Sequence, residues 1–360
     1  MHVGDCVERG QRWDEWKVQL FDPGRPYLAK GPIYPARGNH DGGPYFRTLF
    51  DRDADLFTDF RFGDVHVFVM DSQSSTGGAR RTQQLEWLET GLASSDARWK
   101  IVTLHHPMVH SPATEPLFGV DDFLNIVTEQ EADFVLTGHY HVYQRLLPIG
   151  LEDKKPVLHV TTGGGGGNMG SRTMSPLIVT DSMKHHHLRF TVDGDKLEMI
   201  ALLNDGTEID RYTLIKTADN QYQPEVMQRS VPLALAQHVR LFYHYLTQPN
   251  VRLDEYGAAL IDADAAEPGA RVTLRLNRHL LDAEKIPADA ALLLRPIDGE
   301  PWTLDAQTLD ILADEWTFTA TAPDDLAIDE GGKVRPSLRM HVVLRVGEFE
   351  FEPEPVDVIV

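Results

Sequence analysis

Four short segments of the chain carry side chains that can bind a metal ion or a phosphate. In chain order they are Gly4-Asp5-Cys6-Val7-Glu8-Arg9-Gly10, Gly38-Asn39-His40-Asp41, Leu104-His105-His106-Pro107 and Gly138-His139-Tyr140-His141. Carboxylate, amide and imidazole groups are hard-to-borderline ligands that suit Mn, Fe or Zn ions. Each segment alone is weak, because Gly-Asp is usually a turn and His-His-Pro is usually a loop. Taken together, in this order and at this spacing, they indicate a metal-dependent active site.

The elements around these segments are predicted to bring them to one edge of a sheet. Three of the four segments directly follow an apolar run, and such runs, typical of buried strands, occur at 65–70, 101–104, 134–137 and 157–160. Amphipathic patterns predict helices over 12–20, 82–93 and 120–131. Active sites of α/β sheets form where strands end and loops begin. Three further strands, with turns at 193–195 and 204–206, complete a predicted α/β fold of sheets covered by helices.

The second half of the chain has a different pattern. Residues 216–265 are predicted to be a connector with helical content around 232–246. Alternating residues at 271–276, 315–321 and 340–345 predict an all-β sandwich domain over 266–360. The predicted division is therefore a first domain over 1–215, the connector, and a β-sandwich accessory domain without residues that suggest chemistry.

Composition limits the classes of function. A chain of 360 residues favours two domains. A net charge of −21 argues against general nucleic-acid binding, although it permits a small phosphorylated substrate held by metal ions. No apolar run is long enough for a transmembrane helix, so no membrane association is expected. The single cysteine, Cys6, excludes an intrachain disulfide. The compartment, cytoplasmic or exported, and the oligomeric state stay open.

The order of the four segments resembles the pattern of the calcineurin-like metallophosphoesterase superfamily. That pattern is Asp-x-His, Gly-Asp, Gly-Asn-His-Asp/Glu, a strand-ending His and Gly-His-x-His. The resemblance covers about residues 1–215 and is greatest to the purple-acid-phosphatase-like branch, because of segments 84–88 and 138–145 and the glycine run after Thr162. It implies an αββα sandwich fold.

The resemblance also implies two metal ions and their ligands. Asp5 would bridge both ions, His141 would bind the first, and Asn39, His105 and His139 would complete the shell of the second. His105 is favoured over its neighbour His106 because the family's ligand lies two residues before the proline. The metals would be Mn, Fe or Zn, and Glu8 replaces the tyrosine that binds iron in purple acid phosphatases, so a tyrosinate-iron site is not expected.

The segment around Asp5 resembles the Gly-Asp-x-Val-Asp-Arg-Gly segment of serine/threonine protein phosphatases. By that likeness Glu8 and His40 would be catalytic, with Glu8 orienting His40 and His40 protonating the leaving oxygen. Arg9 and His40 would bind the substrate. The alternative is that Glu8 and Arg9 form a solvated surface pair. Tyr143 and Arg145 are expected to support the two histidines of the last segment from outside the metal shell.

One departure from the family pattern affects the expected metal site. The superfamily's first motif lies a few tens of residues before Gly-Asp, whereas only four residues precede Asp5 here. We therefore expect the first strand and helix to be lacking and the first metal site to be incomplete, either because the chain is truncated or because it has diverged to one metal.

The resulting functional prediction is a metal-dependent hydrolase of phosphomonoesters or phosphodiesters that acts through a metal-bound hydroxide. The alternative is a catalytically weak or inactive binding protein whose C-terminal domain docks a partner or a glycan.

Overall fold

The structure is a computed structural model of the chain, and it describes most of the first 237 residues and parts of the rest. The described residues are 1–50, 56–73, 78–109, 119–170, 177–227, 230–237, 260–261, 267–277, 290–304, 307–310, 313, 315–328, 334–336, 338–346, 349–351 and 356–358. By their contacts, residues Met1–Thr173 and Ile178–Leu233 form one compact unit, and Met174–Leu177 with Ala234–Val360 form a second.

The first unit contains five α-helices and one π-helix among its described residues. The helices are α1 (Trp13–Glu15), the π-helix (Trp16–Phe21), α2 (Asp22–Leu28), α3 (Tyr45–Leu49), α4 (Ala79–Ser94) and α5 (Val120–Glu129). Its strands are β1 (Thr58–Phe62), β2 (Val65–Val69), β3 (Trp99–Thr103), β4 (Phe134–Thr137), β5 (Tyr143–Leu146), β6 (Ile149–Gly150), β7 (Leu158–Thr162), β8 (Ile178–Ser182), β9 (His186–Asp193), β10 (Lys196–Leu203), β11 (Glu208–Ile215) and β12 (Val231–Pro232).

A seven-stranded mixed sheet forms the centre of this unit. Its strand order is β1-β2-β3-β4-β7-β5-β8, in which β2, β3, β4 and β7 run parallel and the outer pairs are antiparallel. Strands β3 and β4 are almost entirely buried, as apolar strands of a parallel sheet are when both faces are covered. The parallel strands carry the loops after β3 and β4 to the same edge.

The two faces of the seven-stranded sheet have different neighbours. Val67 and Val69 of β2 point into a core shared with the antiparallel sheet β11-β10-β9, which contributes Leu197 and Met199. Phe68, between the two valines, faces the opposite side and lies against Gly91 and Trp87 of α4. The alternation of β2 thus separates a sheet-on-sheet core from a helix-covered face.

The second unit is built of antiparallel strands. They are β13 (Leu260–Ile261), β14 (Arg271–Asn277), β15 (Ala290–Arg295), β16 (Thr303–Leu304), β17 (Gln307–Leu309), β18 (Glu315–Thr321), β19 (Ala327–Ile328), β20 (Val334–Arg335), β21 (Leu338–Val346), β22 (Phe349–Phe351) and β23 (Val356–Val358). One sheet has the order β13-β14-β18-β16, a second has β17-β15-β21-β22 with β23 also on β21, and β19 pairs with β20.

The sequence-based elements are largely confirmed. Helices occur at the three predicted places, and the four apolar runs form β2, β3, β4 and β7. The three strands predicted over 187–215 are β9, β10 and β11, with turns at the expected positions. The α/β fold is confirmed, and further β-sheet follows it. Residues 238–250, where part of the connector helix was predicted, lie outside the described residues; residues 233–237 are helical. No helix in the described ranges is long and apolar enough to span a membrane.

Candidate metal centre and its surroundings

The four segments singled out in the sequence lie at one edge of the first unit. His2 pairs in parallel with Pro35 in an isolated bridge, so that the loops after these two residues start side by side. His105 follows β3, His139 follows β4, and Gly138 donates its N–H to the His105 carbonyl at 2.8 Å. Parallel pairing therefore brings four chain segments, distant in sequence, to a common site.

Four of the five predicted ligands converge on one small volume. The Asn39 Oδ1 atom lies 3.0 Å from His105 Nε2 and 3.1 Å from His139 Nδ1. The same His105 nitrogen lies 3.1 Å from Asp5 Oδ2 and 3.3 Å from His139 Nδ1. Ligand atoms bound about 2.1 Å from one metal ion are themselves separated by about 3.0–3.4 Å, so these spacings match the edges of a coordination shell.

The protonation pattern of this group favours a cation. His105 Nδ1 lies 2.8 Å from the carbonyl oxygen of Val3, which can only accept, so Nδ1 carries the proton. In the neutral ring, Nε2 then presents a lone pair toward the Asp5 carboxylate and the Asn39 amide oxygen, which are also acceptors. Acceptors that face one another at about 3 Å repel unless a cation lies between them, so the donor set fits a Mn, Fe or Zn ion.

Close backbone approaches hold Asp5 in this group. Asp5 has φ +54° and the preceding Gly4 has φ +96°, both in the left-handed region. A Cβ on Gly38 would lie 2.0 Å from Asp5 Oδ1, and one on Gly4 would lie 2.5 Å from His105 Nδ1. Only glycine allows the two loops to approach this closely.

The Asp5 carboxylate is held in its charged form. Burial acts to raise its pKa, but the hydrogen bonds and charges around it prevail and lower the pKa. Chief among them is His105, whose Nε2 donates to the carboxylate when it carries a proton in the place that a metal ion would take; the His40 N–H follows and donates to Asp5 Oδ1 at 2.8 Å.

Asp41 ties the two loops together and was not assigned a role from the sequence. It is fully buried, accepts the Cys6 N–H on Oδ1 at 2.8 Å and accepts the Gly38 N–H on Oδ2 at 2.9 Å. Burial raises the pKa of Asp41 to about 6, although the two N–H donors act to lower it. Its position at the end of the Gly38-Asn39-His40-Asp41 segment was the sequence feature that could have indicated a role near the site.

His40 lies beside the ligand group, and the main chain of Glu8 holds it. His40 Nδ1 donates to the Glu8 carbonyl oxygen at 2.8 Å, whereas the Glu8 carboxylate is 3.8 Å away. Burial acts to lower the His40 pKa, but the Glu8 carbonyl and the charges of Asp5, Glu8 and Asp41 raise it. His40 was predicted to be oriented by the Glu8 side chain, but the hydrogen bond that orients it is accepted by the Glu8 backbone carbonyl.

Arg9 pairs with Glu15 rather than with Glu8. The Arg9 Nε–Glu15 Oε1 distance is 2.5 Å, and 61% of the arginine side chain is exposed while 6% of the glutamate side chain is. Glu8 also exposes most of its side chain. The exposure of both side chains fits the solvated alternative, whereas the ion pair of Arg9 is with the buried acid Glu15.

His141 is held by the glycine-rich loop after β7. Its Nδ1 donates to the Asn168 carbonyl at 2.7 Å, which leaves Nε2 as the nitrogen with a lone pair. A Cβ on Gly167 would lie 2.6 Å from the His141 ring. The glycine-rich loop thus packs on a predicted ligand through a backbone carbonyl, a contact that no side-chain pattern could reveal.

His106 lies next to the group and binds Ser72. Its backbone N–H donates to Ser72 Oγ at 3.0 Å, and its Nδ1 lies 2.9 Å from the same oxygen. Its ring packs against the rings of His105 and His139, and the three histidines alone could offer nitrogen atoms to one ion. We favour His105 over His106 as a ligand because Asn39 and Asp5 converge on His105.

The predicted support of the metal ligands by Tyr143 and Arg145 is not what their side chains do. The Tyr143 hydroxyl donates to Asp210 Oδ2 at 2.5 Å, and Arg145 Nε donates to the same oxygen at 2.6 Å. Asp210 is on β11, so these residues join the two sheets behind the site. Their place directly after the last motif had suggested that they support His139 and His141. The sequence does not show that β11, with Asp210, lies opposite them.

The first part of the chain is similar to known phosphoesterases. Residues 1–143 match the family model of the calcineurin-like phosphoesterases. A probable cyclic nucleotide phosphodiesterase from Vesicomyosocius okutanii subsp. Calyptogena okutanii is 33% identical over 124 residues, which cover 34% of this chain and 49% of that protein. Purple acid phosphatase 17 from Arabidopsis thaliana is 29% identical over 125 residues, 34% of each chain. The chain thus spans half or less of the length of these curated relatives.

Among solved structures, a purple acid phosphatase from yellow lupin (Lupinus luteus) seeds is similar with a TM-score of 0.49 and 18% identity. The similarity covers 61% of this chain and 46% of that one.

Proposed function

We propose that the protein, whose residues 1–143 match the calcineurin-like phosphoesterase family model, is a metal-dependent hydrolase of phosphomonoesters or phosphodiesters. The observation that carries the proposal is the convergence of Asp5, Asn39, His105 and His139, whose acceptor atoms lie 3.0–3.3 Å apart. The relatives named as a phosphodiesterase and a phosphatase support both ester classes.

The four converging residues would hold one metal ion, and Asp5 with His141 would contribute to a second. Bound metal ions supply an activated water and stabilise the charge that develops on phosphorus. Residues that do not bind the metal ions hold the ligands in place. Val3 and Asn168 fix the tautomers of His105 and His141 through their carbonyls, and Asp41 keeps the two ligand-bearing loops together.

His40 and Arg9 would handle the substrate. His40 directs Nδ1 toward the Glu8 carbonyl, so its Nε2 faces away from that contact and is available to a phosphate oxygen or the leaving oxygen. Arg9 offers a mostly exposed guanidinium from the adjacent loop, a group that binds phosphate in a bidentate manner. Together they would orient the ester and protonate the leaving group.

The test compares the chain with its His139→Ala variant. With added Mn(II), hydrolysis of bis-p-nitrophenyl phosphate and p-nitrophenyl phosphate is measured beside Mn(II) affinity by titration calorimetry. We expect the variant to lose more than about a hundredfold in rate and to bind Mn(II) more weakly, because one shell ligand is removed. His187→Ala, an exposed histidine on β9, is the matched control and should match the unmodified chain.

The outcomes separate the two functions predicted from the sequence. Hydrolysis that survives in His139→Ala contradicts the proposed site. Mn(II) binding that depends on His139, without hydrolysis of either ester, favours the weakly active or inactive binding protein. The ratio of the two rates in the unmodified chain ranks monoesters against diesters.

A further inference from the structure

The helical segment 13–21 is built to hold the loop that carries Arg9. The Trp16 indole N–H donates to the Gly10 carbonyl at 2.8 Å, and Trp16 is fully buried. Gln19 Oε1 accepts the Glu8 N–H at 2.7 Å. The loop is therefore fixed on both sides of Arg9 by side chains from one segment.

Glu15 completes this arrangement by engaging the arginine itself. Its carboxylate is nearly buried, with Oε1 2.5 Å from Arg9 Nε and Oε2 3.4 Å from Gln19 Nε2. A carboxylate bound to Nε leaves the two terminal amino groups of the guanidinium available to a ligand. Arg9 exposes 61% of its side chain, so these groups face solvent.

The same loop contacts His40 on either side of Arg9. The Gly10 N–H donates to the His40 carbonyl at 2.8 Å, and the Glu8 carbonyl accepts from the His40 ring at 2.8 Å. The backbone of Arg9 is thus held between Glu8 and Gly10, both of which bind His40. His40 directly follows the predicted ligand Asn39 in the chain. The Glu15 carboxylate, 2.5 Å from Arg9 Nε, holds the guanidinium itself.

A long, exposed arginine would otherwise lose considerable rotamer entropy when it binds a phosphate. The ion pair with a buried acid lowers this entropy cost, because the guanidinium is already held in one place before the substrate binds. An ion pair with a purely structural role would not need an arginine whose side chain is mostly exposed next to the proposed active site.

We propose that Glu15, supported by Gln19, is the positioning residue that preorganises Arg9 for the phosphoryl group of the substrate. The inference rests on the proposed function and extends it: substrate affinity at this site is set by a residue on the helical segment that contacts neither metal nor substrate. The expected ligands are phosphate groups, because the two terminal amino groups of Arg9 can bind two phosphate oxygens at once.

The test is a double-mutant cycle on KM and kcat with p-nitrophenyl phosphate and Mn(II), with inorganic phosphate as a competitive inhibitor. Glu15→Gln should raise KM and the phosphate inhibition constant about tenfold and change kcat less than about threefold, because substrate positioning is lost while the metal ligands stay. In an Arg9→Ala background, Glu15→Gln should add no further change, since its effect passes through Arg9.

The controls address charge and folding. Asp14→Asn removes a neighbouring exposed carboxylate that pairs with Arg12, and should leave KM unchanged within about twofold. If Glu15→Gln does not fold, Gln19→Ala, at an exposed position, should give a smaller rise in KM in the same direction.

An unchanged KM in Glu15→Gln, or equal effects with and without Arg9, overturns the inference while the proposed function stands. An unmodified chain that neither hydrolyses the ester nor binds phosphate overturns both.

Discussion

Asp5 and His139 show how individual residues are adapted to the site. Both have positive φ values, +54° and +65°, which side-chain-bearing residues rarely adopt. Such conformations cost about 1 kcal/mol or more each and persist where the surroundings impose them. Here the packing of the neighbouring loops imposes them, and both side chains reach the same His105 nitrogen.

At the residue scale, Gly38→Ala tests this close approach. The added Cβ would collide with Asp5 Oδ1 and with the Asp5 backbone nitrogen, at 2.0 and 2.2 Å. We expect the carboxylate to be displaced and Mn(II) affinity to fall by about a hundredfold, as for loss of a supporting contact at a metal site.

Titration calorimetry with Mn(II) measures the change. Gly31→Ala is the matched control, because no atom lies within 4 Å of its Cβ position. An affinity for Mn(II) that is unchanged in Gly38→Ala would show that Asp5 does not contribute to the site.

At the scale of elements, a charged pair joins the two sheets of the first unit. Asp210 on β11 accepts hydrogen bonds from Arg145 and Tyr143 of β5, and the Arg145 guanidinium also lies over the Tyr212 ring at 4.6 Å. The Arg145 and Asp210 side chains are 4% and 9% exposed. A buried guanidinium that loses its acid is costly, so this pair constrains how the sheets pack.

Replacement of Asp210 by alanine should therefore destabilise the first unit. We expect the free energy of unfolding to fall by about 3 kcal/mol, because the buried Arg145 would lose the carboxylate to which it donates two hydrogen bonds. Urea denaturation followed by tryptophan fluorescence gives the value. Asp193→Asn, an exposed acid on β9, should change it by less than about 0.5 kcal/mol. Similar midpoints for the two variants would show that the pair is dispensable.

At the scale of the whole molecule, the buried charges at the start of β4 link distant parts of the first unit. Asp133 accepts from the ammonium groups of Lys155 and Lys216 and from the Tyr222 hydroxyl, and all but Tyr222 are fully buried. Two lysines share one aspartate, so one positive charge is not balanced within the cluster. Burial lowers the pKa of Lys216 to about 7, although Asp133 acts to raise it.

This imbalance should make stability depend on pH. Between pH 7 and about 9.5 the unfolded chain keeps the Lys216 proton, with an ordinary pKa of 10.5, while the folded chain releases it. The unfolded state then binds more protons, so the free energy of unfolding should rise with pH, by up to about 1.4 kcal/mol per pH unit.

The measurement is the urea midpoint at pH 7.0, 8.0 and 9.0, for the unmodified chain and for Lys216→Met. The variant leaves one lysine with one aspartate, so its stability should rise less steeply with pH than that of the unmodified chain. Parallel pH profiles for the two proteins would exclude Lys216 as the source of the dependence.

The sequence by itself determined the local features of this protein. Periodicity located helices α4 and α5 and strands β2, β3 and β4, because these elements depend on short-range spacing of apolar residues. The motifs pointed to Asp5, Asn39, His105 and His139 as a set, and the structure brings their side chains together. Whether these residues bind metal stays a prediction.

Only the tertiary structure decided which distant groups meet. The assignment of Arg145 failed because its partner Asp210 lies on another sheet, 65 residues away. The roles of Glu15 and Asp41, and of the Val3 and Asn168 carbonyls, depend on loops that approach through glycines and on backbone atoms that every residue shares. Sequence patterns record the period of each element, whereas the hydrogen-bond partners of buried polar groups are chosen by packing between elements.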